Sequence, residues 1–403
     1  YGGGFWSGSA SVSFTQGDNL ARHGVMVVEP NYRVGPFGFL ALAELSRESG
    51  KGSGAYGMMD AIAALKWVKA NAAGFGGDPT RITLFGVSAG SLMVSAFTAS
   101  PAARGLFTQV IGQSNGLFSP QPRSVAPLPL AQAEAAGADY AAKLGAHSLA
   151  DLRKLPADEL LKPQMRWWAV IDGDVLSEEP YDTFAAGRQA DVPTLTGGNA
   201  TEGVFISPNP PIKAADWAAE LKNNWGADAK ALRQLYPFKT DAEAYWSRTM
   251  VAGEVNYTWQ VWTWAHLQAK TGKAPVWMWR FEQPYPARDP KIAALMGTPH
   301  GAELYYIFQH YPRPDLFAWT DDERKLGEVM AGYWTNFAKT GDPNGPGLPI
   351  WPRYALDKSQ IIRLKTNPEV GPHPRKTELE FIDSVLAKTR AARSAPAPLV
   401  WWI

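Results

Sequence analysis

The chain has no cysteine among its 403 residues. That excludes disulfides and a thiol nucleophile, and leaves any zinc site to histidines and carboxylates alone. The lack of cysteine is compatible with any cellular compartment. No uninterrupted apolar run approaches the ~18 residues of a membrane-spanning helix, so no span is expected. An excess of one charge sign is lacking too: 39 Lys+Arg against 38 Asp+Glu leave a net charge of +1. Such a balance gives no electrostatic reason to bind nucleic acid or an anionic membrane. Internal repeats are absent, and the one biased stretch is an Ala/Pro-rich segment at 394–398. The sequence opens on Tyr1 rather than methionine and shows no signal-peptide pattern. What it has in quantity is apolar and aromatic residues, 45% and 12% of the chain, including 17 tryptophans. These can fill one large core or two ordinary ones. Core packing explains most of the tryptophans; an aromatic-lined ligand cleft is the sharper explanation.

The first half alternates strand-like and helix-like stretches. Gly24–Val28 reads as a buried strand, Met59–Ala73 as a helix with Ile62, Leu65, Trp67 and Val68 on its apolar side, and Arg81–Phe85 and Thr108–Ile111 as further strands. Later strands are predicted at Val192–Thr196, Ala274–Phe281 and Gln360–Leu364. This alternation implies an α/β fold with a mostly parallel sheet and helices on both faces. Segments 117–190 and 207–272 are helical and loop-rich excursions that could cover the strand ends. Asp321–Gly341 is a marked helix, with Thr320 to cap it, acids in its first turn, and Lys339 and Gly341 at its end. Lys376–Thr389 is a final helix, and the apolar residues Leu399–Ile403 are expected to dock on the body or on another chain.

The most informative motif is Gly86-Val87-Ser88-Ala89-Gly90. It lies between the strand-like Arg81–Phe85 and the helix-like Ser91–Phe97, the context of a nucleophile elbow. The pattern alone is weak, arising by accident in about one chain in ten of this length. A second match, Gly112-Gln113-Ser114-Asn115-Gly116, also follows a strand, but Gly116, Pro120 and Pro122 prevent an ordinary helix after it. Only the first match is strand–turn–helix.

A serine hydroxyl needs a base, and histidine has the matching pKa. The chain order nucleophile, acid, histidine that this fold uses leaves four of the six histidines, His266, His300, His310 and His373. His300, in Thr298-Pro299-His300-Gly301, is a loop residue ahead of a helical run and the leading choice. His266 and His310 read as packed histidines, and His373, between two prolines, as a solvated one. The orienting acid should follow a core strand, which favours Glu202 in the loop after Val192–Thr196; Asp172 and Asp191 are weaker alternatives. Oxyanion donors are available from the amide of Ala89 and from Gly3 and Gly4 of Tyr1-Gly2-Gly3-Gly4-Phe5. A triple glycine alone is usually a linker, but paired with an elbow it reads as an oxyanion loop.

With these pieces in place the sequence resembles the type-B carboxylesterases, the group that includes cholinesterases and bacterial carboxylesterases. The resemblance is carried by Tyr1–Phe5, Asn31–Phe39, Phe75–Pro79, Gly86–Gly90, Gln113-Ser114, Val170–Gly173, Thr201–Gly203 and His300–Glu303, in family order. It implies one α/β-hydrolase domain over 1–403. It also implies a Ser88–Glu202–His300 triad that needs no cofactor or metal, with Gly3, Gly4 and Ala89 as oxyanion donors. By the same resemblance Ser114 and Glu303 support the acid and histidine from behind, and Phe5, Met165, Trp167 and Phe205 line the substrate cleft. The implied activity is hydrolysis of a small-molecule carboxylic ester through an acyl-enzyme. An amidase or thioesterase with the same triad is an alternative, as is a non-catalytic adhesion module on this fold.

Three departures from the family pattern stand out. Val87 replaces the usual glutamate before the nucleophile, which argues against cationic esters and for uncharged ones. The family disulfides are missing, which suits a bacterial enzyme, secreted, periplasmic or cytoplasmic. The family segment ahead of the glycine loop is missing as well, so an open sheet edge and an open cleft wall are expected. Sequons occur at Asn199 and Asn256; the first is three residues from Glu202, which argues against a glycan there.

Overall fold

The computed structural model describes residues 1–120, 125–163, 165–207 and 212–392. The predicted alternation appears as a six-stranded sheet ordered β1-β2-β5-β6-β7-β8 and a small pair β3-β4. The strands are β1 (Thr83–Val87), β2 (Gln109–Gln113), β3 (Leu128–Pro129), β4 (Val170–Ile171), β5 (Thr194–Asn199), β6 (Val276–Phe281), β7 (Gln360–Leu364) and β8 (Glu369–Pro372). β1, β2, β5, β6 and β7 run parallel, and β8 closes the sheet antiparallel to β7.

Side chains alternate across a strand, so the sheet divides the interior into two cores. Val110, Met278 and Ile361 join one cluster, with Leu92 and Phe97 of the elbow helix Ala89–Ala99 and Trp264 of the helix Trp259–Thr271. Their neighbours Ile111, Trp277, Trp279 and Ile362 join the other, with Met330, Trp334 and Phe337 of the helix Asp321–Thr340. Helices thus cover both faces, as a parallel sheet requires. The excursions after β2 and β5 supply the helices Leu130–Lys143, Ala214–Trp225 and Asp241–Gly253, and the last continues through a π-helical turn at Glu254–Thr258.

Three sequence expectations need correction, and one falls outside the described residues. Val25–Val28 is extended but belongs to no sheet. Val25 and Val27 pack against the second core while Met26 and Val28 are exposed. An extended stretch becomes a strand only when its amides meet a neighbouring ladder, and β1 pairs on one side only, with β2. Trp67 is 52% exposed and leans on Phe75 rather than on the core. His373 is buried, not solvated: its Nδ1 accepts from the amide of Arg375 at 3.1 Å. Segments 394–398 and 399–403 lie outside the described residues.

Candidate active site

Because parallel strands all end on one side, the turns that follow β1, β2 and β5 come together there. Ser88 follows β1, Ser114 follows β2, and Glu202 lies three residues beyond β5. The ladder runs on past the strands: the Ser88 amide donates to the Gln113 carbonyl at 2.9 Å, and the Ser114 amide to the Gly197 carbonyl at 2.8 Å.

Ser88 stands at φ 58°, ψ −122°, immediately ahead of the elbow helix. A non-glycine residue in that region carries backbone strain, typically about 1–3 kcal/mol. The turn is tight because Gly86 and Gly90 touch: a Cβ on Gly86 would lie 2.5 Å from the Gly90 carbonyl carbon. Strand pairing before the turn and the helix after it hold the strained residue in place. As the first helical residue, Ala89 has an amide with no partner inside the helix, aimed toward the serine's side of the turn.

The glycine loop lies directly on the elbow. A Cβ on Gly2 would fall 3.0 Å from the Ser88 Cβ and 3.6 Å from its Oγ. The loop is pinned from outside. The Tyr1 ring stacks on Tyr32 at 4.3 Å, the Tyr1 hydroxyl donates to the Tyr32 carbonyl at 2.7 Å, and the Gly35 amide donates to the Phe5 carbonyl at 2.7 Å. Gly3 and Gly4 turn at φ 99° and 62°, where glycine is strain-free. Among the described residues neither of their amides donates to a protein acceptor.

Glu202 is fully buried, and its Oε2 lies 2.6 Å from Nδ1 of His300. Its Oε1 accepts from the Asn199 amide at 2.6 Å. The two loops are stitched together: the Thr201 amide donates to the Thr298 carbonyl at 3.1 Å, the Thr298 amide to Thr201 Oγ1 at 2.6 Å, and Asn199 Nδ2 to the Pro299 carbonyl at 2.7 Å. Burial pushes the imidazole down, but the Glu202 carboxylate more than reverses this, and the net shift is upward. Glu303 sits behind, accepting from Gln113 Nε2 at 3.1 Å and Asn199 Nδ2 at 2.6 Å. Burial and the nearby charge of Glu202 raise its carboxyl to about 7. Ser114 is buried against the same group: a Cβ on Gly198 would lie 2.9 Å from Glu202 Oε1 and 3.7 Å from Ser114 Oγ. The Ser114 hydroxyl has no hydrogen-bond partner among the described residues.

The other acids and histidines have structural roles. Asp172 accepts from the amides of Val175 and Leu176, both at 2.9 Å, and so closes a turn. Asp191 accepts from the amides of Lys273 and Ala274 at the entry to β6. His266 packs on Trp262, and His310 bonds the Gln16 carbonyl at 2.9 Å.

Ser88, Ala89, Gly3, Gly4 and His300 line one cavity of about 1470 Å³ that continues along β1 and the unpaired stretch Val25–Val28. Of the residues expected to line it, Met165 and Phe205 do, and the Phe205 ring stands 5.1 Å from that of His300. Phe5 and Trp167 are instead core residues, Phe5 against Phe39 at 4.7 Å and Trp167 against Tyr140 at 5.0 Å. Sequence reasoning missed Trp168, Arg166 and Tyr257, which also line the cavity. The Tyr257 ring lies 4.7 Å from that of His300. It is carried there by the π-helical turn, which Glu254 anchors through Arg375 Nε at 2.7 Å and the Tyr236 hydroxyl. Among the described residues no group of three or more histidines and acids could hold a metal ion, and no helix is long and apolar enough to cross a membrane.

Comparison with known proteins gives the family of the chain. Residues 1–382 match the model of the Carboxylesterase family. The chain is 34% identical to the fumonisin B1 esterase of Sphingopyxis macrogoltabida, over 88% of this chain and 66% of the relative. It is 31% identical to the para-nitrobenzyl esterase of Bacillus subtilis, over 90% of this chain and 74% of the relative. Bovine bile salt-activated lipase is 30% identical, over 99% of this chain and 73% of the relative. The chain therefore spans about two thirds to three quarters of the length of these curated relatives. The chain belongs to the carboxylesterase family, a family of carboxylic ester hydrolases with the α/β-hydrolase fold.

Proposed function

We propose that this protein hydrolyses carboxylic esters through a Ser88–His300–Glu202 triad and an acyl-enzyme. The observation that carries the reading is the 2.6 Å Glu202–His300 contact opening on the same cavity as a strained elbow serine and two unpaired glycine amides. With Nδ1 donating to Glu202, Nε2 is left unprotonated and accepts the Ser88 proton as Oγ attacks the ester carbonyl. The carbonyl π electrons move onto oxygen, and the oxyanion is met by the amides of Gly3, Gly4 and Ala89. Collapse expels the alkoxide, which takes the proton from His300 and leaves acyl-Ser88. Water, deprotonated by His300, repeats the sequence and releases the acid. Glu202 stabilises the imidazolium in both halves, and Glu303 and Asn199 hold the acid loop in register, with Ser114 packed beside it. Val87 beside the nucleophile supplies no attraction for a cationic alcohol.

The test is hydrolysis of p-nitrophenyl butyrate by the wild type and Ser88→Ala. Loss of turnover in the variant supports the reading; an unchanged rate sinks it.

A further inference from the structure

Several charged residues line the cavity without a part in this chemistry: Glu29, Asp78, Arg81, Lys339 and Arg166. Arg166 lines the same cavity as Ser88 and His300. Its guanidinium stands over the Trp168 ring at 4.1 Å, and Trp168 meets Phe5 of the glycine loop edge-on at 5.6 Å. Tyr257 lines the same cavity, near enough for its charge to act on Arg166, and its ring lies 4.7 Å from that of His300. Arg166 is thus one aromatic side chain removed from Phe5 of the glycine loop, through Trp168, and from His300, through Tyr257.

Among the described residues no carboxylate lies within ion-pair distance of Arg166, and it makes no hydrogen bond. Of the two carboxylates that line the cavity, Asp78 is held by Arg81 at 2.7 Å, and Glu29 forms no ion pair with Arg166. Partial burial lowers the Arg166 pKa to about 10, so the group is still cationic at neutral pH. A desolvated, unpaired cation is costly to hold. Stacking on an indole offsets part of the cost but uses none of its five N–H donors.

We propose that Arg166 binds a carboxylate on the substrate, so that the preferred esters carry a second, ionised carboxyl group. This rests on the ester-hydrolase reading above and narrows its substrate class. It revises the expectation of uncharged esters that followed from Val87: cationic esters stay disfavoured, but anionic ones gain a partner. The planar guanidinium fork matches a carboxylate in two parallel hydrogen bonds. A single cation also balances one carboxylate charge better than a phosphate dianion. The carboxylate can belong to the acyl side, as in a monoester of a dicarboxylic acid, or to the alcohol side.

The test compares two matched pairs. p-Nitrophenyl hemiglutarate against p-nitrophenyl hexanoate probes the acyl side; 3-carboxyphenyl butyrate against 3-acetylphenyl butyrate probes the alcohol side. The quantity read is the anionic-to-neutral ratio of kcat/KM in the wild type, Arg166→Gln and Arg166→Lys. A lost charge-assisted hydrogen-bond pair predicts that Arg166→Gln lowers this ratio roughly 10- to 100-fold in one pair, and that Arg166→Lys lowers it less. The pair that responds names the side that carries the carboxylate. A ratio unchanged within about twofold in both pairs, for variants that keep the wild-type thermal unfolding midpoint, overturns the assignment. If the wild type hydrolyses none of the four esters, the ester-hydrolase reading itself fails, a result distinct from hydrolysis without discrimination.

Discussion

Replacing Glu202 with glutamine isolates what the buried carboxylate does. The side chain keeps its shape, and its remaining oxygen can still accept from the Asn199 amide, now at 2.6 Å. The group facing His300 Nδ1, also at 2.6 Å, becomes an NH2. A donor there demands an acceptor, so the imidazole proton moves to Nε2, the atom that must receive the Ser88 proton. The imidazolium also loses its charge partner. Loss of the correct tautomer in a serine hydrolase costs about 10⁴ in kcat. That corresponds to about 5 kcal/mol of transition-state stabilisation. The pH profile carries a second signature. Burial pulls the imidazole down and Glu202 pulls it up, with a net rise above its ordinary 6.5. The base works only when neutral, so the acid limb of kcat/KM should lie above 6.5 in the wild type. Without the carboxylate, burial dominates and the limb moves down. The assay is p-nitrophenyl butyrate hydrolysis from pH 5 to 9, with circular dichroism as a fold control. A folded Glu202→Gln enzyme within tenfold of wild type, with an unmoved acid limb, would refute the reasoning.

Two further outcomes follow from the packing. Gly86→Ala places a methyl 2.5 Å from the Gly90 backbone, and only a shift of the elbow can relieve it. Overpacking of this kind should cost about 1–3 kcal/mol in urea unfolding and lower kcat with it; a variant with wild-type midpoint and rate would contradict the close approach. Glu303 should make stability pH-dependent. Its folded pKa of about 7 lies above the ordinary 4.5, so its stabilising contribution is complete below 4.5 and is lost as pH rises through 7. A shift of that size is worth on the order of 3 kcal/mol. Relative to Glu303→Gln, the wild type should lose stability by about this amount between acid and neutral pH, and a constant difference would argue against the buried proton.

How far the sequence reached depends on whether a residue's role is local or tertiary. The helix Asp321–Thr340 was readable because its ends are chemical: Thr320 Oγ1 accepts from the Glu323 amide at 3.3 Å, and Gly341 takes the left-handed conformation at φ 76°. β7 was readable at both boundaries because an apolar run sat between turn residues. The elbow was separable from its decoy because prolines after Ser114 bar a helix. By contrast, Val25–Val28 has the composition of a strand, but strand formation depends on a neighbour that composition does not specify. His373 sits between prolines, which constrain backbone but say nothing of burial. Arg166 and Tyr257 were invisible for the same reason. An arginine among aromatics reads as a solvated charge, and its separation from every carboxylate among the described residues is a property of the assembled cavity. Tyr257 reaches His300 only through a π-helical turn held by Glu254 and Arg375, a pairing across more than a hundred residues.

The central claim is that Ser88, and not the second motif serine, is the nucleophile. Treatment with a fluorophosphonate, followed by intact-mass and peptide mass spectrometry, addresses it directly. The account predicts one adduct per chain, on Ser88, with ester hydrolysis lost in proportion to labelling. Full ester hydrolysis in a chain that takes up no adduct, or an adduct on Ser114 in place of Ser88, would contradict it.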